Sequence, residues 1–131
     1  MSLLLDTHVL VWWLGAPERL APSQRTALAA VDGEHPVLVS EISLWEIAML
    51  QSRGRIEFDL PLREWLEAAT APPLVRRTGI TPAVAAEVAT LPDTFHRDPA
   101  DRILVATARV LNAKLLTRDQ RIIDSGLVTT L

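Results

Sequence analysis

The chain has 131 residues, 49% of them hydrophobic, and its 16 acidic and 13 basic residues give it a net charge of −3. This length predicts a single domain spanning residues 1–131 that buries a core without disulfides, and the hydrophobic content excludes a disordered chain. The sequence has no cysteine, so thiolate metal sites are excluded. The negative charge argues against a general nucleic-acid coat protein, although it leaves open a nuclease whose metal site is itself acidic.

The amino terminus has no basic region ahead of its short apolar run, and no stretch of about 18 apolar residues occurs along the chain. We therefore expect neither a signal peptide nor a membrane span. Together with the lack of cysteine, this pattern favours a cytoplasmic protein.

Hydrophobic periodicity and turn residues predict strands that alternate with helices. The predicted strands span 3–5, 37–39, 74–76, 115–117 and 127–130, and the predicted helices span 8–14, 22–31, 40–51, 61–70, 82–91 and 98–111. The last helix has the clearest start, because Asp98 is a good N-cap and Pro99 suits the first helical position. The alternation predicts an α/β fold, in which helices cover both faces of a central parallel sheet.

Acidic residues occur where predicted strands end and helices begin. Asp6 follows the first strand and Asp119 follows the fourth. Asp98 and Asp101 share one face at the start of the last helix, and Glu46 lies on the helix after the second strand. Ligands of open α/β sheets bind outside the carboxyl ends of the strands, so these carboxylates should converge. Because crowded carboxylates resist ionisation without a cation and oxygen ligands suit Mg²⁺ or Mn²⁺, the pattern predicts metal-assisted cleavage of a phosphodiester.

Each acid also has an ordinary structural explanation. Asp6 and Asp98 are suited to capping the helices that follow them, and Asp119 is suited to a turn. Glu46 could be a solvated helix residue, and Glu41, at the junction of strand and helix, competes with it for a place in the site. The local pattern does not separate the two glutamates. Acids at three separate strand ends are much less likely to occur by chance than an acid at any one of them, and this joint pattern indicates a functional site.

Polar residues beside the acids are candidates for the surroundings of the site. The two threonines adjacent to acid motifs could orient a carboxylate or a metal-bound water, or could be ordinary turn hydroxyls. No histidine pair has zinc-binding spacing, although His8 and His96 could meet the substrate. The arginines that flank the acids, including Arg121, could bind a phosphate backbone or pair with those acids. The candidate substrate-binding residues are Thr7, Arg97, Arg102, Thr117 and Arg118.

Four segments of the chain resemble the acidic motifs of the PIN-domain nucleases, and within that family the toxins of VapBC toxin–antitoxin systems. The resemblance covers essentially the whole chain, and the first and third motifs are the more specific ones. The segments are LLLDTH at 3–8, SEISLWEI at 40–47, HRDPADRILVA at 96–106 and LTRD at 116–119.

The resemblance assigns roles to individual acids. It places Glu46 rather than Glu41 in the second motif, and Asp101 matches the widely shared acid of the third motif, with Asp98 accompanying it. It implies a three-layer sandwich of helices around a mainly parallel sheet, and an endoribonuclease that depends on Mg²⁺ or Mn²⁺. Asp6 and Asp101 are then the expected direct metal ligands. The expected catalytic set is Asp6, Glu46, Asp98, Asp101 and Asp119.

The resemblance also implies homodimerisation and inhibition by a cognate antitoxin of the VapB type. Trp12, Trp13 and Trp45 lie near the acids in sequence, so we expect their helices to form a groove for an antitoxin segment whose basic side chain reaches the carboxylates. Two other classes are weighed against a nuclease. A receiver-type phosphoacceptor domain is disfavoured because the only lysine, Lys114, precedes a late strand instead of following it. A non-catalytic module that docks a basic partner segment is the other alternative.

Overall fold

A computed structural model describes all residues from Met1 to Leu131. It contains a parallel four-stranded sheet, seven α-helices and a short 3₁₀ turn at Pro17–Arg19. The strands are Leu3–Leu5 (β1), Val37–Ser40 (β2), Val75–Thr78 (β3) and Lys114–Leu116 (β4). The helices are Thr7–Gly15 (α1), Pro22–Ala29 (α2), Glu41–Ser52 (α3), Leu62–Ala69 (α4), Pro82–Thr90 (α5), Pro99–Leu111 (α6) and Gln120–Ser125 (α7).

Side-chain alternation along the strands divides the hydrophobic core into two halves. Leu4 and Leu115 belong to a buried cluster on one face of the sheet, whereas Leu5 and Leu116 belong to a cluster on the other face. Residues of α6 and α7 close the first cluster, and residues of α1 to α4 close the second. The predicted three-layer sandwich around a central parallel sheet is therefore confirmed.

The order of the strands creates a crevice at one edge of the sheet. The order is β3-β2-β1-β4, so the chain passes from β1 outward to β3 and then crosses to the opposite side of β1 for β4. In open α/β sheets the ligand crevice forms where the strand order reverses, outside the carboxyl ends. Here that point lies between β1 and β4, and the segments that leave these two strands carry Asp6 and Asp119.

The carboxyl-terminal segment differs from its predicted structure. The strand predicted at 127–130 is wrong, because this segment makes only one isolated parallel bridge, between Leu115 and Thr130. The residues before it form α7, for which no helix was predicted. A helix of six residues is too short for hydrophobic periodicity to reveal it. Its cap is Asp119, whose side chain accepts a hydrogen bond from the Arg121 backbone.

The remaining predicted elements agree with the structure to within about two residues at each end. Asp98 caps α6 as predicted, since it accepts from the Asp101 backbone at 3.0 Å. Ser40 caps α3 in the same way, accepting from the Ile42 backbone at 3.2 Å. Pro61 lies immediately before α4 and not inside its first turn. None of the helices combines the length and the apolar character needed to cross a membrane.

Candidate active site

A cleft of about 380 Å³ lies outside the carboxyl ends of β1 and β4. All five acids predicted for the site line it, together with basic and aromatic side chains. Glu41 does not line the cleft, because its carboxylate lies beside Gly79, after β3. The fold therefore separates the two glutamates that the local sequence pattern left undecided. The lining residues are Asp6, His8, Trp12, Glu46, Asp98, Asp101, Arg118, Asp119 and Arg121.

Asp6 is held in the cleft by hydrogen bonds to both of its carboxylate oxygens. The Thr7 backbone donates to Oδ1 at 2.7 Å, and the Thr117 hydroxyl donates to Oδ2 at 2.7 Å. Burial raises the pKa of Asp6, and the bond from Thr117 partly opposes this rise. Thr117 also accepts from the Asp119 backbone at 3.0 Å, so one buried hydroxyl links the ends of β1 and β4. Asp6 caps α1 and still lines the cleft, so the capping explanation does not remove it from the site.

Glu46 is positioned by a buried side chain of the neighbouring helix. The Thr7 hydroxyl donates to Glu46 Oε1 and is hydrogen-bonded to Ser43 Oγ at 2.9 Å. Burial raises the pKa of Glu46, the bond from Thr7 opposes the rise, and the negative charges of Asp6 and Asp98 add to it. Ser43 was not anticipated from the sequence. Its spacing of three residues from Glu46 on one helix face was the available signal.

Asp101 has a strongly raised pKa in the cleft. Asp101 is only 7% exposed, and this burial is the main reason why its pKa is raised to about 7. The negative charges of the other four cleft acids add to this rise, and Asp6 contributes the most among them. The carboxylate oxygens of Glu46, Asp98 and Asp101 lie within 4.8 Å of one another. A positive charge placed close to this carboxyl group would stabilise its ionised form.

A second group of close side chains lies on the α7 side and includes Asp101 again. Ligand atoms of His96, Asp101 and Asp119 lie within 4.8 Å of one another. His96 Nε2 is buried 3.2 Å from Asp101 Oδ2, but the pair lacks hydrogen-bond geometry. Arg121 contacts both acids, with Nη2 at 3.0 Å from Asp119 Oδ2 and at 3.9 Å from Asp101 Oδ2. Partial burial would raise the pKa of Asp119, but hydrogen bonds from the Arg121 side chain and backbone outweigh burial and lower it.

The predicted substrate-binding residues occupy different environments. Thr7 and Thr117 are completely buried, and each donates to a cleft carboxylate, which favours a positioning role. Arg102 donates to three backbone carbonyls of the loop before α6, and these contacts hold the loop. Arg97 is exposed and does not line the cleft. Arg118 lines the cleft and contacts none of its acids. The geometry therefore favours Arg118 among these five for substrate contact.

The donor set of the cleft fits a divalent cation that prefers oxygen ligands. Its acids supply carboxylate oxygens, and neither Glu46 nor Asp98 takes part in any ion pair. A bound cation would relieve the repulsion that raises the pKa values of Asp101 and Glu46. Oxygen ligands of this kind suit Mg²⁺ or Mn²⁺.

The chain is similar to known proteins in sequence and in fold. Residues 3–125 match the family model of the PIN domain. The chain is 39% identical to Ribonuclease VapC22 of Mycobacterium tuberculosis over 121 residues, which are 92% of this chain and 89% of that protein.

Two solved structures share the fold at low sequence identity. VapBC2 from Rickettsia felis, bound to a promoter DNA fragment, aligns with a TM-score of 0.74 at 13% identity and covers 100% of this chain and 98% of that chain. FitAcB from Neisseria gonorrhoeae aligns with a TM-score of 0.67 at 22% identity and covers 98% and 96%. Because the family model matches nearly the whole chain and its acidic motifs meet in one cleft, the chain belongs to the PIN-domain family.

Proposed function

We propose that the chain is a divalent-cation-dependent endoribonuclease that acts in the cytoplasm as the toxin of a toxin–antitoxin pair. The observation that carries this proposal is the meeting of five carboxylates in one cleft, where the pKa of Asp101 is raised to about 7. Such a site is suited to binding divalent cations, through which it can bind the phosphodiester of a nucleic acid. RNA is the proposed substrate class because the 39% identical relative is a ribonuclease.

Asp6 and Asp101 are the proposed direct ligands of the cation. Among the cleft acids, Asp6 has the largest effect on the pKa of Asp101, so one cation can balance both charges. Glu46, Asp98 and Asp119 complete the site directly or through water. When bound, the cation supplies Lewis-acid polarisation of water and of the phosphate oxygens.

The other residues of the site orient these acids and contact the substrate. Thr117 and Thr7 are buried, and their hydroxyls hold the carboxylates of Asp6 and Glu46 in fixed orientations. Arg118 has an exposed guanidinium in the cleft, which is suited to an RNA phosphate. Trp12, which also lines the cleft, offers an aromatic surface on which a base can stack.

A cognate antitoxin is proposed to cover the cleft. Trp45 is 55% exposed on α3, directly before Glu46 in sequence, and Trp12 lines the cleft from α1. These two helices are in contact, so their tryptophans provide apolar surface beside the acids. A basic antitoxin side chain placed there could pair with Glu46 and Asp98, which have no ion-pair partner within the chain. Homodimerisation is a further part of the proposal, and light scattering of the purified protein tests it.

The test of the proposed activity is cleavage of a mixed RNA preparation by purified protein with Mg²⁺ or Mn²⁺. Cleavage should stop in EDTA, and Asp6→Asn should be inactive because it removes a proposed cation ligand. Asp59→Asn changes an exposed aspartate that does not line the cleft, so it is the matched control and should keep full activity.

Two results would contradict the nuclease proposal. Cleavage that continues unchanged in EDTA would remove the cation from the mechanism. A wild-type protein that binds its antitoxin but never cleaves RNA would favour the non-catalytic binding module instead.

A further inference from the structure

Arg121 is the one arginine that pairs with acids of the cleft. Its Nη2 lies 3.0 Å from Asp119 Oδ2 and its Nε lies 3.3 Å from Asp119 Oδ1, so the guanidinium contacts both oxygens. Nη2 also lies 3.9 Å from Asp101 Oδ2. The guanidinium therefore provides a positive charge between two acids that otherwise repel each other.

The position of Arg121 allows it to leave these acids. Its side chain is 64% exposed, and an exposed ion pair of this kind is weak. It lines both the cleft and an adjoining cavity of about 290 Å³, which His96 and Asp124 also line. A long side chain on the wall between two cavities can reach a ligand in either of them.

We propose that Arg121 is an exchangeable counter-ion of the cleft: it pairs with Asp119 and Asp101 in the metal-free protein, and with a divalent cation bound it leaves Asp119 and binds an RNA phosphate. A guanidinium and a divalent cation compete for the same carboxylate oxygens. The planar fork of arginine fits a phosphate as well as a carboxylate, so Arg121 keeps an anionic partner in both states. This inference rests on the proposed nuclease function and names a further residue for it.

Arg118 is the matched comparison for Arg121. It lines the same cleft and is also exposed, but its Nη1 donates to the Arg19 carbonyl at 3.0 Å and it makes no ion pair with an acid. Removal of Arg118 should therefore weaken RNA binding without releasing a carboxylate to the cation.

The experiment measures two quantities for Arg121→Gln, Arg118→Gln and the wild type. The first is the Kd for Mn²⁺, by calorimetry without RNA at about 0.15 M salt, where charges beyond the Debye length of about 8 Å are screened. Arg121→Gln should bind Mn²⁺ about two- to fivefold more tightly, the effect expected for the loss of an exposed ion pair that competes with the cation. Arg118→Gln should bind Mn²⁺ as the wild type does.

The second quantity is the rate of RNA cleavage at saturating Mn²⁺. Arg121→Gln should cleave about 10- to 100-fold more slowly, the effect expected for the loss of a charged hydrogen bond to phosphate. Tighter Mn²⁺ binding combined with slower cleavage is the signature of an exchangeable counter-ion, because a residue that only supports α7 would not improve metal affinity.

Each other outcome decides against part of the inference. Unchanged or weaker Mn²⁺ binding by Arg121→Gln would overturn the exchange. Tighter Mn²⁺ binding with cleavage at the wild-type rate would overturn the phosphate contact. A wild-type protein that does not cleave RNA would overturn the proposed function, and the Mn²⁺ comparison would still decide whether Arg121 competes with the cation.

Discussion

The two sides of the cleft share Asp101 but differ in how their negative charges are balanced. On the α3 side, Glu46 and Asp98 have no ion-pair partner, and burial raises the pKa of Glu46. On the α7 side, Asp119 is paired with Arg121, and hydrogen bonds from that residue overcome partial burial and lower the pKa of Asp119. The pKa of Glu46 is therefore raised on one side, and the pKa of Asp119 is lowered on the other.

This difference shows that the number of acids in a cleft does not by itself determine how strongly the cleft binds a cation. Cation binding also depends on the positive charges that the chain already places beside each acid, because these charges compensate the carboxylates. We expect the first cation to bind on the α3 side, between Asp6, Glu46, Asp98 and Asp101, because Arg121 competes there for Asp101 alone. The α7 side should bind a cation more weakly while Arg121 remains in place.

The largest effect is expected at the acid that both sides share. Asp101→Asn should reduce RNA cleavage by about a thousandfold, because the loss of a proposed direct ligand would remove several kcal/mol of transition-state stabilisation. The same variant should melt at an equal or higher temperature than the metal-free wild type at pH 8, because the amide removes a buried charge. Cleavage assays and thermal melts check the two expectations. An active Asp101→Asn protein at saturating Mn²⁺ would show that Asp101 is not a ligand.

A pair of cap variants compares the two sides directly. Asparagine caps helices about as well as aspartate, so Asp98→Asn and Asp119→Asn should both melt close to the wild type. We expect Asp98→Asn to lower cleavage by about 100-fold and Asp119→Asn by about tenfold, the range seen when groups around a metal are removed. The smaller effect is assigned to Asp119 because Arg121 already balances its charge. Equal losses of cleavage in the two variants would remove the distinction between the sides.

The buried hydroxyl on the α3 side should have a smaller effect on cleavage. Thr7→Val keeps the shape of the side chain and removes the hydrogen bond to Glu46. Cleavage should fall by about tenfold, as is typical for a group that orients a metal ligand. Thr7→Ser keeps the hydroxyl and is the control, so it should retain most of the activity. If Val and Ser had the same effect, packing and not hydrogen bonding would explain the role of Thr7.

The smallest effect concerns the stability of the metal-free protein as a function of pH. Folding raises the pKa of Asp101 from 3.8 to about 7, so between these values the folded state holds a proton that the unfolded chain has lost. Stability should therefore fall as pH rises through this window, with a loss of about 5 °C in Tm between pH 5 and pH 8. The shift of Asp119 has the opposite sign, so its contribution is lost only as pH falls below about 4.

Thermal melts in EDTA and in Mg²⁺ across this range measure the effect. Mg²⁺ should flatten the dependence, because the cation stabilises the ionised carboxylates. Asp101→Asn should reduce the dependence without Mg²⁺, and Asp6 and Glu46, whose pKa values are also raised, should account for what remains. A Tm that rises between pH 5 and pH 8 in EDTA would contradict the expected protonation of Asp101.

Much of the fold and the acids of the site followed from local sequence. The start of α6 was predicted because Asp98 and Pro99 form a cap and a first helical residue within two positions. The position of Asp6 directly after β1 was predicted because a short apolar run ends at an acid. These signals are local, since backbone capping and side-chain periodicity involve neighbours in the chain.

Contacts between distant segments decided the rest. The local sequence pattern did not separate Glu46 from Glu41, and the packing of α3 against α1 placed only Glu46 beside Thr7 and the cleft. The Asp6–Thr117 hydrogen bond joins residues 111 positions apart and exists because β4 lies beside β1. The balance of charge on the α7 side likewise depends on where this short helix directs Arg121. Residue types therefore determined which chemistry was available, and the strand order determined which charges meet, because electrostatic interactions depend on distance in space.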